Sequence, residues 1–332
     1  MSAAKILFIG GTGTISSACV RRALELGHEV TVLNRGTTTT RPLPDGVEVV
    51  QADARDRESV KSALGSREFD SISNFIAFTP DHVQVDIDQF AGRTGQYVFI
   101  SSASAYQTPL QRIPIIESTP LNNSEWEYSR NKIACENLLV EAHREKGFPA
   151  TIVRPAHTYD HTSMPLIGGW TTIDRMRRGE GVIVHGDGTS LWTLTHSNDF
   201  AHAYVGLLGN SLAVGDSFHI TSDFFYTWNQ IYTILAHAAG VEPRLVHLTS
   251  AMIADVYPDW GDGLVGDKAH CLVFDNSKVK ALVPDYVSKV PFEQGARDII
   301  EYYDAEPARK TIDDAANKAM DRMIELRESA RG

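Results

Sequence analysis

The chain has no run of eighteen apolar residues, so a membrane span is not expected. It has only three cysteines, Cys19, Cys135 and Cys271, far apart and in no metal-ligand spacing, which argues for free thiols in a reducing, cytoplasmic compartment. Met1 to Ala4 lead directly into the first strand, leaving no room for a signal peptide. Basic charge is scarce: 31 Lys and Arg stand against 42 Asp and Glu, a formal net charge of −11. An acidic surface repels nucleic acid unless a local basic patch exists, and the one dense cluster, Arg175, Arg177 and Arg178, is small. Internal repeats and low-complexity tracts are absent.

What is present begins with Lys5 to Ser16. Lys5-Ile6-Leu7-Phe8-Ile9 runs into Gly10-Gly11-Thr12-Gly13. Cys19, Val20, Ala23, Leu24 and Leu26 then recur at helical spacing until Gly27. A strand, a tight glycine turn and a helix N-terminus can seat a pyrophosphate on unpaired backbone N–H groups; the same pattern can also simply connect a strand to a helix. On the first reading Gly10, Gly13, Thr14 and Ile15 contact the dinucleotide. A second strand, Glu29 to Leu33, ends at Asn34-Arg35-Gly36. No carboxylate stands there to accept from a ribose 2′-hydroxyl. Arg35 could pair with a 2′-phosphate, so NADP(H) is favoured over NAD(H). The alternative is a solvated Arg35, with Asn34 serving an unphosphorylated ribose.

Thr37 to Pro44 reads as a polar loop and Val47 to Val50 as a third strand. Asp53 either faces the adenine or caps a helix from Asp56 to Leu64. Further strands are expected within 69–78, at 96–100 and at 150–153, with helices at about 81–93 and 127–145. Such alternation implies a parallel sheet with helices on both faces and ligands at the carboxyl ends of the strands. The predicted organisation is a dinucleotide-binding unit from 1–160 and about 186–225, a substrate lobe from about 161–185 and 226–303, and a charged helical tail over 304–332. Ala316, Met320, Met323 and Ile324 give that tail a weakly packing face.

Chemistry is expected at Tyr128 and Lys132, one helical turn apart. An ammonium beside a phenol favours the phenolate and suits it to exchange a proton with a substrate hydroxyl or carbonyl. About one chain in three of this composition would carry a Tyr-x3-Lys by accident. Only Tyr128 among the eleven tyrosines has lysine at +4, and it falls on the helix after the strand ending in Ser102. Ser102 can orient the same substrate oxygen.

Together these residues resemble an extended, atypical short-chain dehydrogenase/reductase of the NAD(P)-dependent epimerase/dehydratase group, from Lys5 to about Tyr303. Its G-x-x-G-x-x-G pattern falls on Gly10, Gly13 and Ser16, and its Ser–Tyr–Lys set on Ser102, Tyr128 and Lys132. Glu117 to Pro120, Arg154-Pro155 to Tyr159, and Gly186-Asp187-Gly188 to Asp199 match later segments. The resemblance implies a Rossmann-type doubly wound α/β sheet with a smaller C-terminal substrate lobe, Lys132 as a ribose anchor as well as the partner of Tyr128, and often a homodimer through the helices at 81–93 and 127–145. Three positions depart. Ser16 replaces a glycine, Trp192 an arginine that grips a diphosphate, and His157 an asparagine. A sugar-like alcohol or ketone is therefore expected rather than a nucleotide sugar, near Ser104, His157 and Trp192. Stacking on Trp192 or Trp170, or their burial in the core, are both open, and His161 and His196 are further pocket candidates. Asp259, Asp262, Asp267 and His270 are expected in a solvated loop, without metal. The alternative to an enzyme is a dinucleotide-binding regulator or RNA-binding protein of the atypical branch.

Overall fold

The structure is a computed structural model that describes residues 3–37 and 40–329. The first two residues, two positions of the expected 37–44 loop and the last three of the tail lie outside it. Strands β1 (Lys5–Ile9), β2 (Glu29–Asn34) and β3 (Glu48–Gln51) alternate with helices α1 (Thr14–Glu25) and α2 (Arg57–Leu64). Then come β4 (Ser71–Asn74), α3 (Pro80–Phe90), β5 (Tyr97–Ile100), α4 (Glu127–Lys146) and β6 (Ala150–Pro155). The chain continues through β7 (His157–Tyr159), α5 (Trp170–Arg177), β8 (Gly181–His185), β9 (Leu191–Trp192), β10 (Leu194–His196), α6 (Ser197–Leu207) and β11 (Ser217–Ile220).

Seven parallel strands form one sheet in the order β11-β6-β5-β4-β1-β2-β3. Alternation along β1 shows why it is central. Ile6 and Phe8 join the core made with α1 and α6, while Leu7 and Ile9 join the one made with α2, α3 and α4. A strand buried on both faces must be apolar almost throughout, as β1 is. Successive strands are added to opposite sides of β1, so a crevice opens beyond its carboxyl end. This is the Rossmann-type α/β architecture expected.

The remaining elements are β12 (Tyr226–Thr227), α7 (Trp228–Ala238), β13 (Arg244–Leu248), α8 (Ser250–Val256), α9 (Pro258–Gly263), α10 (Ser277–Leu282), α11 (Phe292–Asp304) and α12 (Asp314–Ser329). They pack in two further cores, except for α10, whose Val279 joins the core made with α6 and β11 and which so belongs with the sheet and not with the expected lobe. Strand β13 pairs with β8, and Trp192, Trp228, Ile231 and Phe292 lie in one core cluster. The tail helix packs more firmly than its spacing suggests. Met320 and Met323 are fully buried with Ile183, Val246 and Leu264, because α12 lies against β8 and α8.

One segment differs in kind from expectation. The glycine-rich stretch with Asp259, Asp262 and Asp267 is helical, continuing from α9 into a π-helical turn over Leu264–Lys268. Gly266 lets this turn pack closely on Trp126, whose Cβ an added Cβ at Gly266 would approach to 3.0 Å.

Candidate active site

The glycine turn leaves β1 with Gly10 at φ +85°, where an added Cβ would approach Ile76 to 2.6 Å. Gly13, extended, starts α1 with no side-chain oxygen capping the first turn. Its own N–H donates to the Ser16 hydroxyl at 2.8 Å, so the serine that replaces a glycine locks the turn instead of loosening it. The N–H groups that follow, from Thr14 onward, form the exposed positive end of the helix. Ile15 packs its side chain on the core and can offer only its backbone. The Thr14 hydroxyl is held by Ser163 and by Arg41. Arg41 was not anticipated; it forms a two-pronged ion pair with Asp160 at 2.6 and 3.1 Å.

A cleft beyond β1, β2 and β3 is lined by Gly10, Asn34, Arg35, Asp53 and Arg55. Asn34 spends its side-chain amide oxygen on the Gly36 N–H, and the Asp53 carboxylate accepts from the Arg55 backbone N–H. Asp56, not Asp53, caps α2. Arg55 is a second guanidinium at this edge, brought there by the turn after β3, far from the end of β2 in sequence.

Lys132 lies fully buried on α4, its Nζ donating to the carbonyls of Ala77 (2.8 Å) and Ile100 (2.7 Å). Burial pulls its pKa down to about 8. The ammonium sits 5.6 Å from the centre of the Tyr128 ring. The expected lowering of the Tyr128 phenol is not found. Burial pushes it up, the Ser102 hydroxyl opposes this, and the Asp267 carboxylate pushes it further. The ammonium is spent on two carbonyls, which is why it does not dominate the phenol. Ser102 shares a hydrogen bond with Ser104 at 2.9 Å, and Ser129 donates to Ser104 at 2.8 Å. Ser104 thus backs Ser102.

Ser102, Ser104 and Tyr128 open into one pocket with His157 and Trp192. The Trp192 indole N–H donates to His157 Nδ1 at 3.0 Å. Burial drives the His157 pKa down to about 3. The imidazole is therefore neutral, with its proton on Nε2. Trp192 is 1% exposed and lies against Trp228, so it is a wall of the pocket more than a free stacking surface. Trp170 is elsewhere, stacked on Tyr303 in the core. His196 accepts from the Asn198 N–H at the start of α6 and His161 meets the edge of Tyr302; neither lines this pocket. Among the other residues that line the pocket, Trp126, Asp267 and Lys268 were not expected there. Asp267 is not in a solvated loop.

Comparison with known proteins places the chain in a family. Residues 6–221 match the NAD dependent epimerase/dehydratase family. The chain belongs to that family. The match takes in the glycine turn, Ser102, Tyr128, Lys132, His157 and Trp192, and stops before Asp267 and Lys268. A chloroplast stem-loop binding protein of 41 kDa from Arabidopsis thaliana is 26% identical over 256 residues, 73% of this chain and 65% of that protein. A UDP-glucose 4-epimerase of Lactobacillus helveticus is 30% identical over 168 residues, 45% of this chain and 50% of that one. The chain thus spans between half and two thirds of the length of these relatives. A solved UDP-glucose 4-epimerase from Bifidobacterium longum, in complex with NAD+ and UDP, shares the fold with a TM-score of 0.72 at 17% identity, covering 91% of this chain and 98% of that one.

The cofactor class that goes with the family is a nicotinamide dinucleotide. The uncapped start of α1, the close-approach glycine at the end of β1 and the cleft beyond β2 and β3 fit it.

Proposed function

We propose that this family member is an NAD(P)-dependent enzyme acting on a secondary alcohol, or its ketone, of a sugar-like substrate. The observation that carries the reading is the meeting of Tyr128 and Ser102 in one pocket above the buried Lys132 ammonium. Tyr128 exchanges the substrate's hydroxyl proton, and Ser102, steadied by Ser104, orients that oxygen. Lys132 fixes positive charge beneath the phenol and has a third N–H for a ribose hydroxyl. A bound nicotinamide dinucleotide supplies the hydride acceptor or donor. Retaining and reusing the cofactor would give epimerisation or dehydration; releasing it would give net oxidation or reduction. His157 offers a donor that does not change with pH in the physiological range. NADP(H) is the preferred form, because Arg35 and Arg55 share a cleft with no carboxylate but Asp53. The three thiols are free, in keeping with a reducing, cytoplasmic setting, and α3 and α4 pack side by side where a homodimer would form.

Tyr128→Phe is expected to keep cofactor affinity while turnover drops at least about a hundredfold, the lower range for a lost general acid/base. Turnover like the wild type would reject the assignment. A second reading, RNA binding, has the stem-loop-binding relative in its favour. Against it, Arg175 pairs with Asp321, Arg177 with Asp304 and Arg178 with Asp174, which cancels the one basic cluster. Salt-sensitive retention of the wild type on immobilised stem-loop RNA would revive that reading.

A further inference from the structure

Asp267 and Lys268 enter the pocket opposite Tyr128, from a part of the chain the family match does not reach. Their backbone is held unusually well. The Lys268 carbonyl accepts from the Trp228 indole at 3.1 Å and from His185 Nε2 at 2.9 Å. Asn123 donates to the carbonyls of both Gly266 (2.7 Å) and Ser104 (2.8 Å), tying this turn to the serine segment across the pocket. A π-helical turn is rare and often marks a functional position. Here it sets two consecutive side chains into the same space.

Those side chains form a pair with unused capacity. The Lys268 ammonium stands 3.8 Å from the Asp267 carboxylate, beyond a normal hydrogen bond. It makes no hydrogen bond of 3.5 Å or less among the described residues, and it lies 5.7 Å from the Trp126 ring centre and 5.8 Å from that of Trp192. The site thus presents an acceptor, a donor and two indoles. Adjacent hydroxyls on a sugar ring match this set: one donates to the carboxylate, its neighbour accepts from the ammonium, and the C–H face lies against an indole. A phosphate or carboxylate substituent matches it poorly, because it would meet the Asp267 carboxylate as well as the ammonium.

We propose that Asp267 and Lys268 clamp a vicinal diol of a neutral sugar ring, with Trp126 beside it. This deepens the reading of a sugar-like substrate and rests on it.

The test is a tryptophan-fluorescence titration, at low and high salt, with the methyl pyranosides of glucose, galactose and mannose and, separately, glucose 6-phosphate. At least one neutral glycoside should bind, with little salt dependence. Asp267→Asn and Lys268→Met should each weaken it at least about tenfold, and Asp262→Asn, an exposed neighbour, should not. Melting temperatures of all variants guard against misfolding. If a variant is unfolded, the conservative Asp267→Glu and Lys268→Arg take its place, with the same loss expected from a displaced head group. Failure of every neutral glycoside to bind overturns the proposal, and so does undiminished binding in the folded variants. Tighter, salt-sensitive binding of glucose 6-phosphate, strengthened by Asp267→Asn, overturns it in favour of an anion site. Glycoside binding is read separately from turnover. Glycoside binding without any wild-type turnover would therefore defeat the enzyme reading and leave the clamp standing; turnover indifferent to the clamp variants would do the reverse.

Discussion

Arg35 and Arg55 pose the sharpest question about a single side chain. Both border the cleft where an adenosine ribose would lie, and the Asp53 carboxylate beside them is already turned to the Arg55 N–H. A hydroxyl is read well by a carboxylate acceptor; a phosphate is read well by guanidinium groups. A charge-assisted hydrogen bond contributes about 1.5–3 kcal/mol, so losing one costs roughly tenfold or more in affinity. Arg35→Gln and Arg55→Gln are each expected to weaken NADPH binding by about tenfold and leave NADH binding within about twofold. Fluorescence titration with both dinucleotides checks this, and equal losses for the two would mean that the arginines do not discriminate. The tyrosine and lysine teach a related point. Spacing placed them one turn apart, and it did so correctly, but the sign of the phenol's shift depends on what else each group touches. The two carbonyls that absorb the Lys132 ammonium come from residues 77 and 100, far away in sequence.

The Ile100 carbonyl ends β5, and the Ala77 carbonyl belongs to the loop between β4 and α3. Asp86, buried on α3, accepts from Asn74 at 2.6 Å and from the Tyr97 hydroxyl at 2.5 Å. Asn74 in turn accepts from the N–H groups of Ile76 and Ala77, and the Ala77 carbonyl receives Lys132. Burial raises the Asp86 pKa to about 7, opposed by its two donors. Its folded value lies above its unfolded one, so the folded state binds the extra proton between about pH 4 and pH 7. The contribution to stability is whole below pH 4 and is lost as the pH rises through 7. A shift of that size is on the order of 4 kcal/mol. Asp86→Asn keeps an acceptor for both donors and cannot ionise. The difference between its urea-unfolding stability and that of the wild type should therefore change across pH 4–7 and stay level above it; a constant difference would show that Asp86 does not titrate there. Elements such as β1 and α3 were legible in the sequence because a strand buried on two sides leaves an unbroken apolar run and a helix buried on one side leaves an apolar period of three to four. The region after Trp228 was less so. Its helices are short, as α8, α9 and α10 show, and too few turns repeat for a period to declare itself. A capping box at Thr227 and Gln230 was a readable start signal for α7. Asp267 and Lys268 gave no signal at all, since their meaning comes from contacts with residues 104, 123, 185 and 228.

The largest consequence of the fold is that the segment after β2 and the segment after β7, far apart in sequence, are joined beside the start of α1. Arg41 follows β2 and Asp160 follows β7, and their ion pair passes beside Thr14 at the start of α1, where a pyrophosphate would rest. Thr162 and Ser163 complete the contact, and the side chains of the pair are 16% and 7% exposed. Burial alone would raise the Asp160 carboxyl, but Arg41 and Thr162 pull it to about 2, so the pair is fully charged at neutral pH. A partly buried pair of this kind resists opening far more than a surface one does. Release of a dinucleotide seated at the start of α1 is therefore expected to require the bridge to part or the residues around it to shift. Enzymes that reuse a cofactor within one turnover need such retention, whereas those that release it each cycle are slowed by it. Asp160→Asn keeps the shape of the side chain and removes its charge. It is expected to speed release of NADPH or NADH at least about tenfold, equivalent to about 1.4 kcal/mol, with a smaller effect on the rate of binding. Displacement of the fluorescent dinucleotide in a stopped-flow instrument measures this directly. An unchanged release rate in a variant that melts like the wild type would show that the bridge secures the segments after β2 and β7 without governing the cofactor.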